Sequence, residues 1–300
     1  MNGLRVELRR FFSRRLVLIL IIVAVGGVAL SSTIAFFQSH QPTEFELRRL
    51  ERREVYQERC LSGETKAPPF VEKTGGPALE EFCQYSGPYV EDPRFLYSDM
   101  DEVLLFTCPI WVMLALVAGA SFIGAEWHTG NIATTLTWEP RRVRLYLAKA
   151  IAVTVAAFLL ATMLQVLLAL LLGAVAALRG STAGLSGDFW RETGEIALRS
   201  SVLAVAGGLL GFSLASIGRN TGAALGILFA YSAIVETAVR GFKPQWFTWL
   251  LTDNAVLFMS GDPTLFGADV NRTTATFAIA AYALIPLVVG LVLFKRRDVT

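Results

Sequence analysis

The chain has 300 residues, a net charge of +2, and 54% hydrophobic but only 17% charged positions. Soluble domains carry about a quarter charged residues, so no soluble enzyme core is expected, and so small a net charge gives no ground for a nucleic-acid partner. Three cysteines and two histidines leave no basis for a Cys-rich scaffold or a histidine-built metal site. The apolar content is gathered in blocks long enough to cross a bilayer, which takes about 20 residues of helix.

Residues 1–15 come first as a basic stretch. Leu4, Leu8, Phe11 and Phe12 share one helical face, with Arg5, Arg9 and Arg10 off it, the pattern of a helix lying in a membrane interface. A plain basic flank that sets topology is a compatible reading. The first span, 16–37, is too long for a signal-peptide core and is followed by no A-x-A-like cleavage site, so a retained anchor is expected. Residues 38–102 then form a long acidic segment. Thr43-x-x-Glu46 has the form of a capping box, and Glu44 precedes Arg48 by four. A charged helix is expected there, followed by a loop around Pro68, Pro69, Gly75 and Gly76. The segment reads as a small external cap. Cys60 and Cys83 both lie in it, in an oxidising compartment where a disulfide is the reading adopted over two free thiols.

The second span, 103–125, contains Cys108 as a packing residue and leads into a loop over 126–144. The third, 145–178, is longer than a bilayer needs, and its first turns up to Lys149 are placed at the interface. The fourth and fifth, 201–217 and 222–239, are short, although Ile196 to Leu198 could extend the fourth outward, and are joined by a tight turn of Gly218, Arg219, Asn220 and Thr221. In the 240–275 loop, Trp246, Phe247 and Trp249 mark an interfacial helix. The sixth span, 276–294, carries Pro286, which implies a kink, and 295–300 form the tail. Gly207-x-x-x-Gly211 and Gly222-x-x-x-Gly226 are small-residue patterns that suit helix packing. The expected fold is an all-α integral membrane protein with six transmembrane helices, an N-terminal interfacial amphipathic helix and an external cap between the first two spans.

Orientation follows from the basic residues near span ends. Thirteen (Arg5, Arg9, Arg10, Arg14, Arg15, Arg141, Arg142, Arg144, Lys149, Arg219, Lys295, Arg296, Arg297) fall on one side, against six in the short loops of the other (Arg179, Arg191, Arg199, Arg240, Lys243, Arg272). Both termini are therefore expected in the cytoplasm. No G-x-x-x-x-G-K-[ST] phosphate loop, metal-spaced His/Cys set or G-x-S-x-G elbow is present, so the chain is expected to be no enzyme and to hold no cofactor. One intramembrane charge stands out. Glu236 has Arg240 four residues on, and two readings are open: an ion pair ending the helix, or a polar group lining a substrate path or gate.

The most informative stretch is GAEWHTGNIATTLTWEPRRVRLYLAK, too polar to span and too apolar for a flexible loop. Its order of Glu126, Gly130, Leu136, Pro140, Arg142 and Lys149 resembles the first cytoplasmic loop of ABC-2 type transporter permeases, and the ending FKRRDV resembles that family's tail. The resemblance implies a short coupling helix that docks on a separate ATPase subunit. Glu126, Trp127, Gly130, Leu136, Pro140, Arg141, Arg142 and Lys149 would be the coupling residues. Trp127, Ile132, Leu136 and Trp138 would supply an apolar face and Arg141, Arg142 and Arg144 its charge; an ordinary interfacial loop is the plainer alternative. It further implies the permease subunit of an ABC exporter in the plasma membrane, paired with a second copy or a related permease. ATP would be bound by the partner, and the cargo would be amphipathic: a drug, antibiotic, lipid or peptide. The competing classes are a non-transporting receptor or scaffold with an external ligand-binding cap, and an ion-coupled secondary transporter using Glu236.

Overall fold

The computed structural model describes residues 2–62, 82–83, 92–138, 141–261 and 271–296. Pro140, the stretch from Pro68 to Gly76 and the tail from Arg297 lie outside them. The elements are α1 (Asn2–Phe12), α2 (Arg15–Gln38), α3 (Glu44–Leu61), α4 (Met100–His128), α5 (Asn131–Trp138), α6 (Arg142–Leu178), α7 (Gly187–Gly218), α8 (Thr221–Phe242), α9 (Leu251–Ser260) and α10 (Arg272–Arg296). Short 3-10 turns precede α4 and α9, and Tyr231–Glu236 of α8 winds as a wider π turn. No strand occurs among the described residues. Six helices are long and apolar enough to cross a membrane, α2, α4, α6, α7, α8 and α10. The fold is thus that of an all-α, multi-pass membrane protein.

One helix, α7, differs markedly in extent from the sequence expectation. α7 starts at Gly187, not near 201, because Ser186 caps it: its Oγ accepts from Phe189 N at 3.2 Å. Its first turns carry Asp188, Arg191, Glu192 and Glu195, which dilute the hydropathy, yet Ile196 and Ser200 are buried. α6 runs unbroken for 37 residues, about 55 Å at 1.5 Å per residue. α10 continues through Pro286.

The chain divides into two compact units, 1–29 with 99–169 and 185–300, and 30–98 with 170–184. In the first, α4 and α7 make the tightest pairing, and glycine is the reason. A Cβ on Gly119 would overlap the Gly208 carbonyl oxygen, and one on Gly211 that of Leu116. Without a hydrophobic drive between helices in lipid, such close backbone approach is what gains contact. The Gly207-x-x-x-Gly211 pattern is therefore a packing face. Gly222-x-x-x-Gly226 is not one within this chain, since a Cβ on Gly226 would meet nothing within 4 Å. Gly211→Ala should cost about 1–3 kcal/mol of stability, seen as a lower thermal-aggregation temperature in detergent, while Gly226→Ala should leave that temperature unchanged.

The core of this unit gathers Phe122, Tyr146, Phe212 and Phe294. The Tyr146 ring lies 5.1 Å from Phe212 and 5.5 Å from Phe294, and its hydroxyl donates to Leu287 O at 3.1 Å. Gln165, buried on α6, donates to Ala161 O of its own helix and to Ser201 Oγ of α7 at 3.0 Å. A structural role is enough to account for it.

The second unit is not confined to 38–102, because the end of α6 and the turn after it belong to it. Leu96 and Ser181 form a parallel bridge, with Ser181 N donating to Phe95 O and Tyr97 N to Ser181 O. The Arg179 guanidinium covers the Phe36 ring at 4.1 Å. α3 begins with its capping box formed: Thr43 N donates to Glu46 Oε2 at 2.7 Å and Glu46 N to Thr43 Oγ1. That backbone bond holds the Glu46 carboxyl below the usual carboxylate range. Arg94 does the same to Asp92, gripping it through Nη2 at 2.7 Å and Nε at 3.0 Å. A disulfide joins Cys60, buried at the end of α3, to Cys83, with Cα atoms 5.6 Å apart.

Candidate functional site

The stretch between α4 and α6 folds as its residue types dictate. α4 ends at His128, where Thr129 N closes on Ala125 O. Gly130 then adopts φ +70°, a left-handed conformation that costs glycine little, and the chain re-enters a helix at once. The result is the eight-residue α5. Ile132 is 1% exposed and Leu136 packs against the core.

Four buried or half-buried charges meet behind this turn. The Lys149 ammonium, on the second turn of α6, contacts Glu7 Oε2 at 2.7 Å and Glu126 at 3.0 Å (Oε1) and 2.9 Å (Oε2). Arg14 Nη2 holds the same Glu126 carboxylate at 2.8 Å, and its Nη1 donates to Ser121 O. Arg10, further out, pairs with Glu7 at 2.9 Å. Lys149 also lies 4.9 Å from the centre of the Phe122 ring and Arg14 5.1 Å from it. The side chain of Lys149 is only 1% exposed, those of Glu7 and Glu126 6% and 7%. Charges so poorly hydrated are tolerable only when each is paired and hydrogen-bonded, and the alternation Arg10, Glu7, Lys149, Glu126, Arg14 meets that condition. It ties α1, the end of α4 and the start of α6 together.

Sequence reasoning singled out Glu126 and Lys149 but not Glu7 and Arg14. A signal for Glu7 existed. It is the sole acidic residue before Glu44, and it falls with Leu4, Leu8 and Phe11 on the apolar face of α1, where a lone carboxylate calls for a buried partner. α1 accordingly turns this face toward the protein core, with Phe11 1% exposed.

The apolar face expected of Trp127, Ile132, Leu136 and Trp138 is divided by the structure, and this corrects the expectation. Trp127, Ile132 and Leu136 pack against this chain's own core. The Trp127 ring lies 5.9 Å from Phe294, and the Arg219 guanidinium stacks 4.7 Å above it. Arg219 itself adopts the left-handed conformation, φ +54°, in the turn between α7 and α8. Asn220 then caps α8, its Oδ1 accepting from Gly222 N at 2.7 Å. Trp138 alone of the four points away, 86% exposed. Arg141 and Arg144 are also exposed, while Arg142 is half-buried and reaches Lys295 O of α10 at 3.5 Å. So α1, α5, the α7–α8 turn and the end of α10 meet at one end of this unit, the end that gathers the basic residues.

Glu236 is 1% exposed, at the end of the π turn. Its Oε1 accepts from Thr252 N at 3.1 Å, and its Oε2 takes the Thr252 hydroxyl and Arg240. Arg240 also grips Asp253 at 2.7 Å. α9 has no side-chain cap of its own, so a carboxylate from α8 serves at its N-terminus, where negative charge is favoured. Close by, Tyr282 donates to Trp249 O at 2.5 Å, leaving Tyr231 to donate to Tyr282 at 2.7 Å. This is the arrangement of a structural cap. Glu236→Gln, which keeps an acceptor for Thr252, should cost about 1 kcal/mol or less. Glu236→Leu should cost about 2 kcal/mol or more, because the Thr252 N–H and hydroxyl both lose their acceptor, while Arg240 is left with Asp253 as its carboxylate partner. Thermal denaturation of the two purified variants separates these outcomes.

Among the described residues no cluster of three or more His, Cys, Asp or Glu side chains is placed to hold a metal ion. Six apolar helices, a buried ionic junction at one end and a short helix inserted between two spans define an all-α multi-pass membrane protein. Residues 82–300 match the family described as "Protein of unknown function (DUF2705)", and the chain belongs to that family. No curated protein matches it.

Proposed function

We propose that this chain is the permease subunit of an ABC exporter in the plasma membrane, with both termini cytoplasmic. Two copies, or one copy and a related permease, would pair with separate ATPase subunits and move an amphipathic substrate. The observation that carries the reading is α5. It is a short helix that follows directly on the end of α4, and the Glu7–Lys149–Glu126–Arg14 junction ties that end to α1 and α6, so a push on α5 would be passed on through α4. Trp138 and Arg141 face outward beside it, an aromatic anchor with a basic rim. ATP is assigned to the partner because the chain has no phosphate loop. The ion-coupled alternative is not favoured by the surroundings of Glu236, whose two oxygens are both engaged.

The test is co-expression with an isolated ATP-binding-cassette subunit encoded beside this chain, followed by purification through a tag on the permease. A stable complex whose ATP hydrolysis differs from that of the cassette alone is expected. Recovery of the permease without the cassette, from membranes that contain both, would sink the proposal.

A further inference from the structure

A cleft of about 460 Å³ opens between α1 and α5. Arg10, Ser13 and Arg14 line one wall, Thr129, Asn131 and Thr134 the other, and Glu126 lies at its base. We infer that this cleft is a binding site for the phosphate of an anionic phospholipid headgroup. The inference does not depend on the ATPase reading above.

Charge gives the sign of the ligand. Around the cleft, Arg10, Arg14 and Lys149 outnumber Glu7 and Glu126, and both carboxylates are already matched within the buried junction. One positive charge is left in excess, on the side where Arg9 and Arg15 are also exposed. Donor supply agrees. A guanidinium offers five N–H groups, and Arg10 has given one, to Glu7, among the described residues. Asn131 and Thr134 make no side-chain hydrogen bond among the described residues. Ser13 and Thr129 direct their hydroxyl protons to Arg10 O and Ala125 O, and so present oxygen only.

Position argues for a lipid as the source of the phosphate. The cleft lies where two spans end, α2 starting at Arg15 and α4 finishing at His128, which is headgroup level for a multi-pass protein. Directly after Arg14, α2 exposes Leu16, Ile19 and Val23, an apolar stripe along which acyl chains can lie. A headgroup seated here bridges α1 and α5, so leaflet composition would bear on how firmly α5 is held.

Native mass spectrometry of the full chain in mild detergent, titrated with dioleoyl-phosphatidylglycerol or with dioleoyl-phosphatidylcholine, tests this. One phosphatidylglycerol should be retained in preference to phosphatidylcholine. Arg10→Gln should weaken retention about fivefold, the effect of one basic residue near a charged headgroup. Thr134→Phe, which fills the cleft without changing charge, should weaken it at least as much. Arg5→Gln, an exposed arginine of the same helix outside the cleft, should change it less than twofold. Equal losses in Arg5→Gln and Arg10→Gln would reduce the effect to general surface charge and overturn the site. Retention untouched by Thr134→Phe would do the same. If millimolar inorganic phosphate binds the cleft and phosphatidylglycerol does not, the lipid assignment is wrong. If Thr134→Phe spares lipid retention but abolishes capture of the ATPase, the cleft takes an acidic protein segment instead.

Discussion

Lys149→Met should cost about 3–5 kcal/mol of stability, the usual penalty for removing one partner of a buried ion pair. Methionine replaces most of the lysine stem, so little of the loss comes from a cavity. What disappears is the ammonium that holds two carboxylates at once. Glu7 and Glu126 are then left facing a common vacated point with almost no access to water. Arg14 still serves Glu126, but Glu7 keeps only Arg10, whose side chain is 46% exposed. α1 is therefore the part expected to let go. Two readouts follow: a lower thermal-aggregation temperature in detergent, and trypsin cleavage at Arg9 or Arg10 under conditions where the wild type resists. The triple variant Glu7→Gln, Glu126→Gln, Lys149→Met should recover part of the loss, because the two facing carboxylates are gone and only Arg14, 20% exposed and still bonded to Ser121 O, lacks a carboxylate partner. Wild-type stability in Lys149→Met alone would mean that the junction contributes nothing net.

The second large effect is expected on assembly rather than folding. Trp138→Ala should weaken capture of the ATPase subunit by about 2 kcal/mol or more, some thirtyfold, the range of a truncated aromatic hot spot. The side chain is 86% exposed in the isolated chain, so nothing in the fold depends on it. Arg141→Glu should act differently, slowing association and making it salt-sensitive, because rim charge chiefly steers the encounter. Trp127→Ala serves as the contrast. Its ring is packed on Phe294 and under Arg219, so its loss should lower stability and reduce assembly only in proportion to the folded protein recovered. Co-purification at low and high salt, normalised to monodisperse permease, distinguishes the three. Wild-type capture by both Trp138→Ala and Arg141→Glu would place the docking surface elsewhere and favour the scaffold reading of the chain.

Local pattern alone determined the six spans and the charged helix after Thr43; a short helix between the second and third spans is expected only from the resemblance of that stretch to the ABC-2 loop. Bilayer-length apolar runs and capping residues are readable within a few neighbouring residues. The start of α7 escaped that reading because its first turns mix charges with the buried Ile196 and Ser200, and hydropathy averages over both. The partners of Glu126 and Lys149 could be suspected from Glu7, a single carboxylate on an apolar face. Only the tertiary structure decided that residues 7, 14, 126 and 149 converge, since contacts over more than a hundred positions leave no periodic trace. The same holds for the glycines. Gly207-x-x-x-Gly211 and Gly222-x-x-x-Gly226 are equivalent as strings, yet only the first has a helix against it. Trp127 and Trp138 are likewise two tryptophans of one loop until the turn at Gly130 faces one to the core and the other to solvent. Side-chain type sets what a residue can do; which neighbour it does it with is set by packing, and packing is a property of the whole chain.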